Sequence, residues 1–570
     1  MAKGGTSPTA PLPILDNVLS LNQGWVPGLS CFWFCMSRSR FITLFRRAYR
    51  ISQWSEQTQM PLPEAAGWLD ARLSRRRVLQ AGAVLGGTLG LGGLGIHDSV
   101  GSDRPRASGL AFGQGDRSSA NQSPVLIVGA GVAGLTAAYR LQQAGVSFEL
   151  VEASSRIGGR LRSVRNPNGL PGMVELGGEF IDTRHTHVRA LAAELGLELS
   201  DLRAADAGLE PEVLYFQGQK VSHESVVEQF APLARRITQD LLAMGRGITY
   251  RQHNDHAAKL DRLSLAEYLD TAEIDPVINQ LVRVAYITEF GRDAEDLSCL
   301  NMLYLIGAEV GQWSTYGDSD ERWHVVGGNQ SIPEALAKRL KGAIALNTSL
   351  ESIRTAPDGR YRVSLRQDGQ SIERSYEKVL LTVPFSVLRQ VELAVDLPPV
   401  KQKAIAELGY GTSSKLAVPF KERIWRTRYG STISVYTDLD FQNTWESARY
   451  SAGPSAWVTD LRAGRQGLLL AADSPAAQAK ALTADLDQIF PGIASVQEGR
   501  SLRAIWAAEP HALGSYSCYR PGQWTAIAGA EIERVGNLWF AGEHCSLESQ
   551  GYMNGAVETA EIAVRSILEA

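Results

Sequence analysis

The first residues with chemical meaning are three glycines, Gly129, Gly131 and Gly134, spaced G-x-G-x-x-G directly after the apolar run Pro124 to Val128. Leu135 to Leu141 follows with apolar residues at helical spacing, and Val146 to Val151 reads as a second strand. In a strand–turn–helix–strand unit each glycine has a task. Gly129 permits the tight turn, Gly131 lets backbone amides approach a pyrophosphate, and Gly134 lets the helix lie close against the strand. The helix N-terminus offers free N–H groups and the positive end of its dipole to the anion. Glu152 ends the second strand, where a carboxylate can accept from ribose hydroxyls. These residues predict a dinucleotide-binding α/β unit.

Further segments extend the pattern. Glu152 is followed by Ala153-Ser154-Ser155-Arg156-Ile157-Gly158-Gly159-Arg160, in which Arg160 and bare backbone can approach a diphosphate. Then come Glu175-Leu176-Gly177-Gly178-Glu179-Phe180, Phe540-Ala541-Gly542-Glu543-His544 and Gly551-Tyr552-Met553-Asn554-Gly555-Ala556-Val557-Glu558. In this order, over residues 121–570, the chain resembles the flavin amine oxidase family of monoamine, polyamine and L-amino-acid oxidases. The resemblance implies an α/β fold: a discontinuous Rossmann-like FAD-binding domain plus an α+β substrate-binding domain with a helical portion. It implies that Arg160, Gly178, Gly328, Gly542 and Met553 lie along FAD and that Glu543 bonds its ribityl or phosphate region. The helix after Tyr552 would then aim its N-terminus at the flavin ring.

The same resemblance describes a reacting face. Related enzymes set two aromatic rings perpendicular to the flavin, and Tyr516 and Tyr552 fall on those positions. Such a slot excludes water and favours a neutral amine over an ammonium. Ser515 stands where mammalian monoamine oxidases carry a flavin-linking cysteine, so FAD is expected to be non-covalent. Many members hold a lysine beside flavin N5, yet the stretch matched to it, Val383 to Glu392, has none. Arg389 within it cannot accept a proton at neutral pH. Two outcomes stay open: electrons pass to a membrane carrier of the quinone type rather than to O₂, or a lysine from elsewhere fills the space. For the substrate, Glu179 and Asp182 are candidates to recognise a second cationic group. Arg184 and Arg322 are candidates to hold a carboxylate. The expected reaction is oxidative deamination of an L-amino acid, basic ones such as arginine or lysine fitting best, to an imine and then a keto acid and ammonia. Polyamine or monoamine oxidation is the alternative. A carbon–carbon desaturase and a non-catalytic flavin-fold binder are more distant rivals.

Composition bounds the rest. The chain has 570 residues, 44% hydrophobic and 21% charged, enough for two packed domains. A net charge of −4 offers no phosphate-neutralising surface, which argues against nucleic acid as a partner. Cys31, Cys35, Cys299, Cys518 and Cys545 are scattered singly, without the spacing of a disulfide scaffold or a zinc site. Ser74-Arg75-Arg76-Arg77-Val78-Leu79 opens an uncharged run to Ile96 and resembles a twin-arginine (Tat) export signal. That predicts a periplasmic, lumenal or secreted protein that meets the membrane only through this segment; an uncleaved anchor is the other reading. Residues 1–59 form a leader of doubtful status, Met60 being a better start, and 60–120 the signal and linker. The expected FAD-binding parts are 121–200, 322–385 and 501–570, and the expected substrate-domain parts are 201–321 and 386–500.

Overall fold

The computed structural model describes residues 123–170, 172–306, 319–447, 449–451 and 453–570. The leader and export signal expected before residue 121 lie outside the described residues. Val125–Val128 is a strand of four buried apolar residues, the composition that suits the middle of a parallel sheet covered on both faces. It pairs in parallel with Phe148–Val151 on one side and Val379–Leu381 on the other. Ile344–Ala345 and Leu538–Phe540 complete the edges, also in parallel. Across the sheet the order is Leu538–Phe540, Val379–Leu381, Val125–Val128, Phe148–Val151, Ile344–Ala345. Strand order therefore reverses beside Val125–Val128, and ligands of such sheets bind in the crevice beyond that point.

Helix Val132–Gln143 follows the first strand and buries Ala133, Leu135, Ala137, Ala138 and Leu141. The C-terminal helix Met553–Glu569 shares its core through Val557, Ala560 and Val564. Arg140 pairs with Glu561 at 2.9 Å and so links the two helices across 421 positions of sequence. The second strand begins at Phe148 rather than Val146, because the Val146 amide bonds back to Leu141 O at 3.0 Å and finishes the helix end.

The other half is built around a seven-stranded mixed sheet. Its order is Leu502–Ile505, Ser414–Phe420, Ala456–Arg462, Asn443–Ser447, Val435–Thr437, Val213–Phe216, Gln219–Lys220. Helices between residues 223 and 306 form the helical portion. One of them, Pro276–Phe290, matters for function. Asp275 caps it by accepting from Val277 N and Ile278 N, Pro276 presets its first turn, and Gly291 at φ 81 stops it. A β-carbon on Gly291 would stand 2.7 Å from Gly411 Cα, so the helix end seats close on the loop entering strand Ser414–Phe420. No described helix is long and apolar enough to cross a membrane.

Candidate active site

One cavity of about 760 Å³ runs from the sheet crevice to the seven-stranded sheet. At its sheet end lie Gly129, Gly131, Glu152, Arg160, Gly178, Gly542, Glu543 and Met553. Gly131 has open space where a side chain would stand, so backbone is offered directly to a ligand. Gly134 does not line the cavity. Its β-carbon would meet Gly129 O at 1.8 Å, which is the close helix–strand contact expected of it. Glu152 accepts from Ala130 N at 2.7 Å and Ser154 N at 2.9 Å, which fixes its carboxylate beside the turn.

Two helix N-termini reach this cavity. Neither Gly131 nor Tyr552 supplies a side-chain cap, and neither helix carries an acidic residue in its first turn. Both therefore leave amide donors for an anion or an electron-rich ring edge. Between them Glu543 is clamped by Arg160 Nη1 at 2.7 Å, Ser517 N at 3.2 Å, Ser517 Oγ at 2.7 Å and Gly551 N at 2.7 Å. Burial opposes its ionisation, but Arg160, His544 and the Ser517 bond outweigh that and hold the carboxyl below its usual range.

Beyond the cradle the cavity is lined by Tyr516 and Tyr552. The Tyr516 hydroxyl accepts from Ser413 Oγ at 2.8 Å and donates to Thr288 O at 3.0 Å. The Tyr552 hydroxyl donates to Glu289 Oε1 at 2.8 Å. Helix Pro276–Phe290 thus supplies an anchor to both rings. Glu179 also lines the cavity, but as part of an ion pair. Lys415 Nζ reaches its Oε2 at 2.8 Å and also donates to Glu175 O and Gly177 O, while Trp445 Nε1 donates to Oε1 at 2.9 Å. Arg449 borders the same space, 8% exposed, with its Cζ 5.7 Å from the Phe180 ring.

Several sequence expectations are corrected. Gly328 packs against Ser163 and Met173, away from the cavity, where its φ of 101 and a 2.4 Å clash with Met173 Sδ would exclude a side chain. Asp182 and Arg184 do not line the cavity either. Asp182 accepts from Ser319 Oγ and Glu321 N and anchors that segment; burial pushes its carboxyl up to about 6. Arg184 lies 3.8 Å from Asp182, and Arg322 pairs with Asp201 at 2.7 Å. The segment Val383 to Glu392 holds Arg389, whose guanidinium is spent on the carbonyls of Ile405 and Leu408. The cavity's lysine is Lys415, missed because it lies in another strand. It stands inside Ser414–Phe420, a strand in which every residue is buried, which the sequence alone does not show. Glu289, Trp445 and Arg449 were missed as well. None of the buried cysteines Cys299, Cys518 and Cys545 lines the cavity.

A parallel sheet with a glycine turn at its switch point, opening into a cavity lined by paired tyrosines, has the build of a dinucleotide-binding protein. Residues 132–568 match the model of the flavin containing amine oxidoreductases, and the chain belongs to that family. It is 24% identical over 474 residues to a flavin-containing amine oxidase of Danio rerio, covering 79% of this chain and 86% of the relative. It is 27% identical over 476 residues to an L-amino-acid oxidase of Siganus canaliculatus, covering 78% and 85%. A putrescine oxidase solved with putrescine bound has the same fold, with TM-score 0.66, 19% identity, 79% of this chain and all of that one covered. FAD is the cofactor of this family of amine-oxidising enzymes. The open Gly131, the two uncapped helix ends and the Arg160–Glu543 clamp fit it.

Proposed function

We propose that the protein deaminates an L-amino acid oxidatively to an imine that water hydrolyses to a keto acid and ammonia. The observation that carries this is a single cavity joining the dinucleotide cradle, the tyrosine pair and a wall that holds both signs of charge. FAD held by the Gly129–Gly131 turn, Arg160 and Glu543 would supply the two-electron acceptor for the hydrogen leaving the substrate's α-carbon. Tyr516 and Tyr552 flank the amine and keep water away, so that its lone pair stays free to assist. Glu289 fixes the Tyr552 ring through its hydroxyl, and Ser413 and the Thr288 carbonyl fix Tyr516. Lys415 neutralises Glu179, which leaves the wall balanced rather than strongly acidic and suits a zwitterion better than a diamine. O₂ or a quinone-type carrier receives the electrons, and FAD is held without a covalent link to the cavity wall. The twin-arginine segment directs export of the folded, FAD-loaded chain.

A relative named L-amino-acid oxidase supports this reading, and a fold neighbour solved with putrescine bound keeps amine oxidation as the second one. The test is anaerobic bleaching of the flavin band by arginine, lysine, putrescine and phenethylamine, followed by air. Bleaching by amino acids and recovery in air with peroxide is the expected result. Bleaching by putrescine or phenethylamine alone would replace this reading with the second.

A further inference from the structure

A second, small space of about 10 Å³ shares a wall with the main cavity, since Glu179 and Arg449 line both. It has room for one water molecule. Its other polar lining residues are Glu175, His324, Glu446 and Tyr450, and only Met173 and Leu202 are apolar. A buried space walled by polar groups calls for a polar guest, whereas an apolar one stays dry. Acceptor positions face such a guest. Glu179 Oε1 takes one donor, Trp445 Nε1, and Oε2 takes one, Lys415 Nζ, which leaves each oxygen a second lone pair. Glu446 is 1% exposed, yet its Oε1 accepts no hydrogen bond from a described residue; Arg423 Nε stands 3.2 Å away, out of line to donate.

Tyr450 forms the outer side of this space and is 36% exposed. Its ring stacks on His324 with centroids 5.6 Å apart, and its hydroxyl lies 3.2 Å from His324 Nδ1. His324 Nε2 lies 2.9 Å from Glu175 Oε1, an oxygen that also accepts from Asn329 N at 2.7 Å. A carboxylate oxygen only accepts, so Nε2 carries the ring proton and Nδ1 receives from the Tyr450 hydroxyl.

Amine oxidation has a proton to dispose of. An ammonium R₂CH–NH₃⁺ becomes R₂C=NH₂⁺ as a hydride passes from carbon to the flavin and a proton leaves nitrogen, so atoms and charge balance. The tyrosine slot keeps bulk water from the amine, and the proton therefore needs a carrier inside the protein. We propose that the small space holds one ordered water and that Glu179, this water and Tyr450 form the proton exit of the active site. The proton passes from the amine to the Glu179 carboxylate and on to the water. The water gives a proton to the Tyr450 oxygen as the tyrosine's own proton moves to His324 Nδ1. Glu175 balances the imidazolium so formed, and the proton returns through Tyr450 to solvent. The route serves any amine, so it rests on the amine oxidation of the family and not on the choice of an amino acid above.

Tyr450→Phe keeps the ring and its stack on His324 and removes only the hydroxyl. The FAD-loaded full chain is mixed without oxygen, in weak buffer, with L-arginine, L-phenylalanine, putrescine or phenethylamine. Flavin absorbance and a pH-indicator dye are followed together. In the wild-type protein proton release should keep pace with bleaching. In Tyr450→Phe bleaching should proceed while release lags roughly tenfold, the proton staying on the Glu179 side. Release that still tracks bleaching in the variant, at whatever rate, would overturn the exit. A crystal structure of the wild-type protein needs no variant and should show one water within hydrogen-bond distance of both Glu179 and Tyr450. A dry space, or a water touching only one of them, would overturn the site. Bleaching by the amines alone would change the substrate reading and leave the exit standing. Bleaching by none of the four would overturn the amine chemistry that the exit serves.

Discussion

Replacing Glu543 by glutamine should loosen FAD by roughly two orders of magnitude without unfolding the chain. The carboxylate takes four donors on two oxygens: Arg160 Nη1 and Ser517 N on Oε1, and Ser517 Oγ and Gly551 N on Oε2. An amide has only one oxygen. If its NH₂ replaces Oε2, the Ser517 hydroxyl can turn and accept, but the Gly551 N–H cannot. If it replaces Oε1, the Arg160 guanidinium and the Ser517 N–H both face a donor. Either way a buried backbone donor is orphaned, at about 1–3 kcal/mol, and Arg160 loses its counter-charge. Gly551 immediately precedes the helix end at the cofactor, so a loss of about 3 kcal/mol falls on FAD binding, close to 100-fold in Kd at about 1.4 kcal/mol per tenfold. Titration of apoprotein with FAD, followed by quenching of flavin fluorescence, measures it. Because the Glu543 carboxyl is held below its usual 4.5, wild-type affinity should not weaken until pH falls beneath that value. A Glu543→Gln protein that binds FAD within about threefold of wild type would refute the clamp.

Gly134→Ala puts a β-carbon 1.8 Å from Gly129 O and should give protein that never turns yellow, read from the flavin absorbance after purification. Lys415→Met leaves the Glu179 carboxylate without its cation, their side chains being 10% and 8% exposed, and should cost about 3 kcal/mol in urea unfolding. The double variant Lys415→Met with Glu179→Gln should recover most of that. Lys401 is 1% exposed, with Nζ on Glu531 O and over the Phe540 ring, and burial lowers its pKa from 10.5 to about 8. Between those values the unfolded chain binds more protons than the folded one, so stability should rise with pH by about 3 kcal/mol. Lys401→Met should flatten that rise in unfolding curves taken from pH 8 to 10.

The glycine turn, Glu152 and the helix after Tyr552 were legible because each is local: the backbone conformation a phosphate needs is written within a few residues. The two tyrosines were reached by resemblance, and the structure places both on the cavity. Cavity walls made from distant strands were not legible. Lys415 meets Glu179 across 236 positions, and Trp445 meets it across 266. Nothing in the periodicity of either segment announces such a meeting. Asp182 and Arg184 misled for the opposite reason. They follow the cofactor motif closely in sequence, but the chain there turns to pair Ile181 with Trp323, which carries both side chains out of the cavity.

The bond between Arg140 and Glu561 joins the opening helix of the cradle to the closing one, and almost the whole catalytic half of the molecule is threaded between them. A ribosome-bound chain that has not yet released residues 553–569 owns only one wall of the nucleotide's berth. Colour should therefore arrive late in synthesis and depart early in digestion. A nick that frees the tail would drain the flavin while most of the fold still stood.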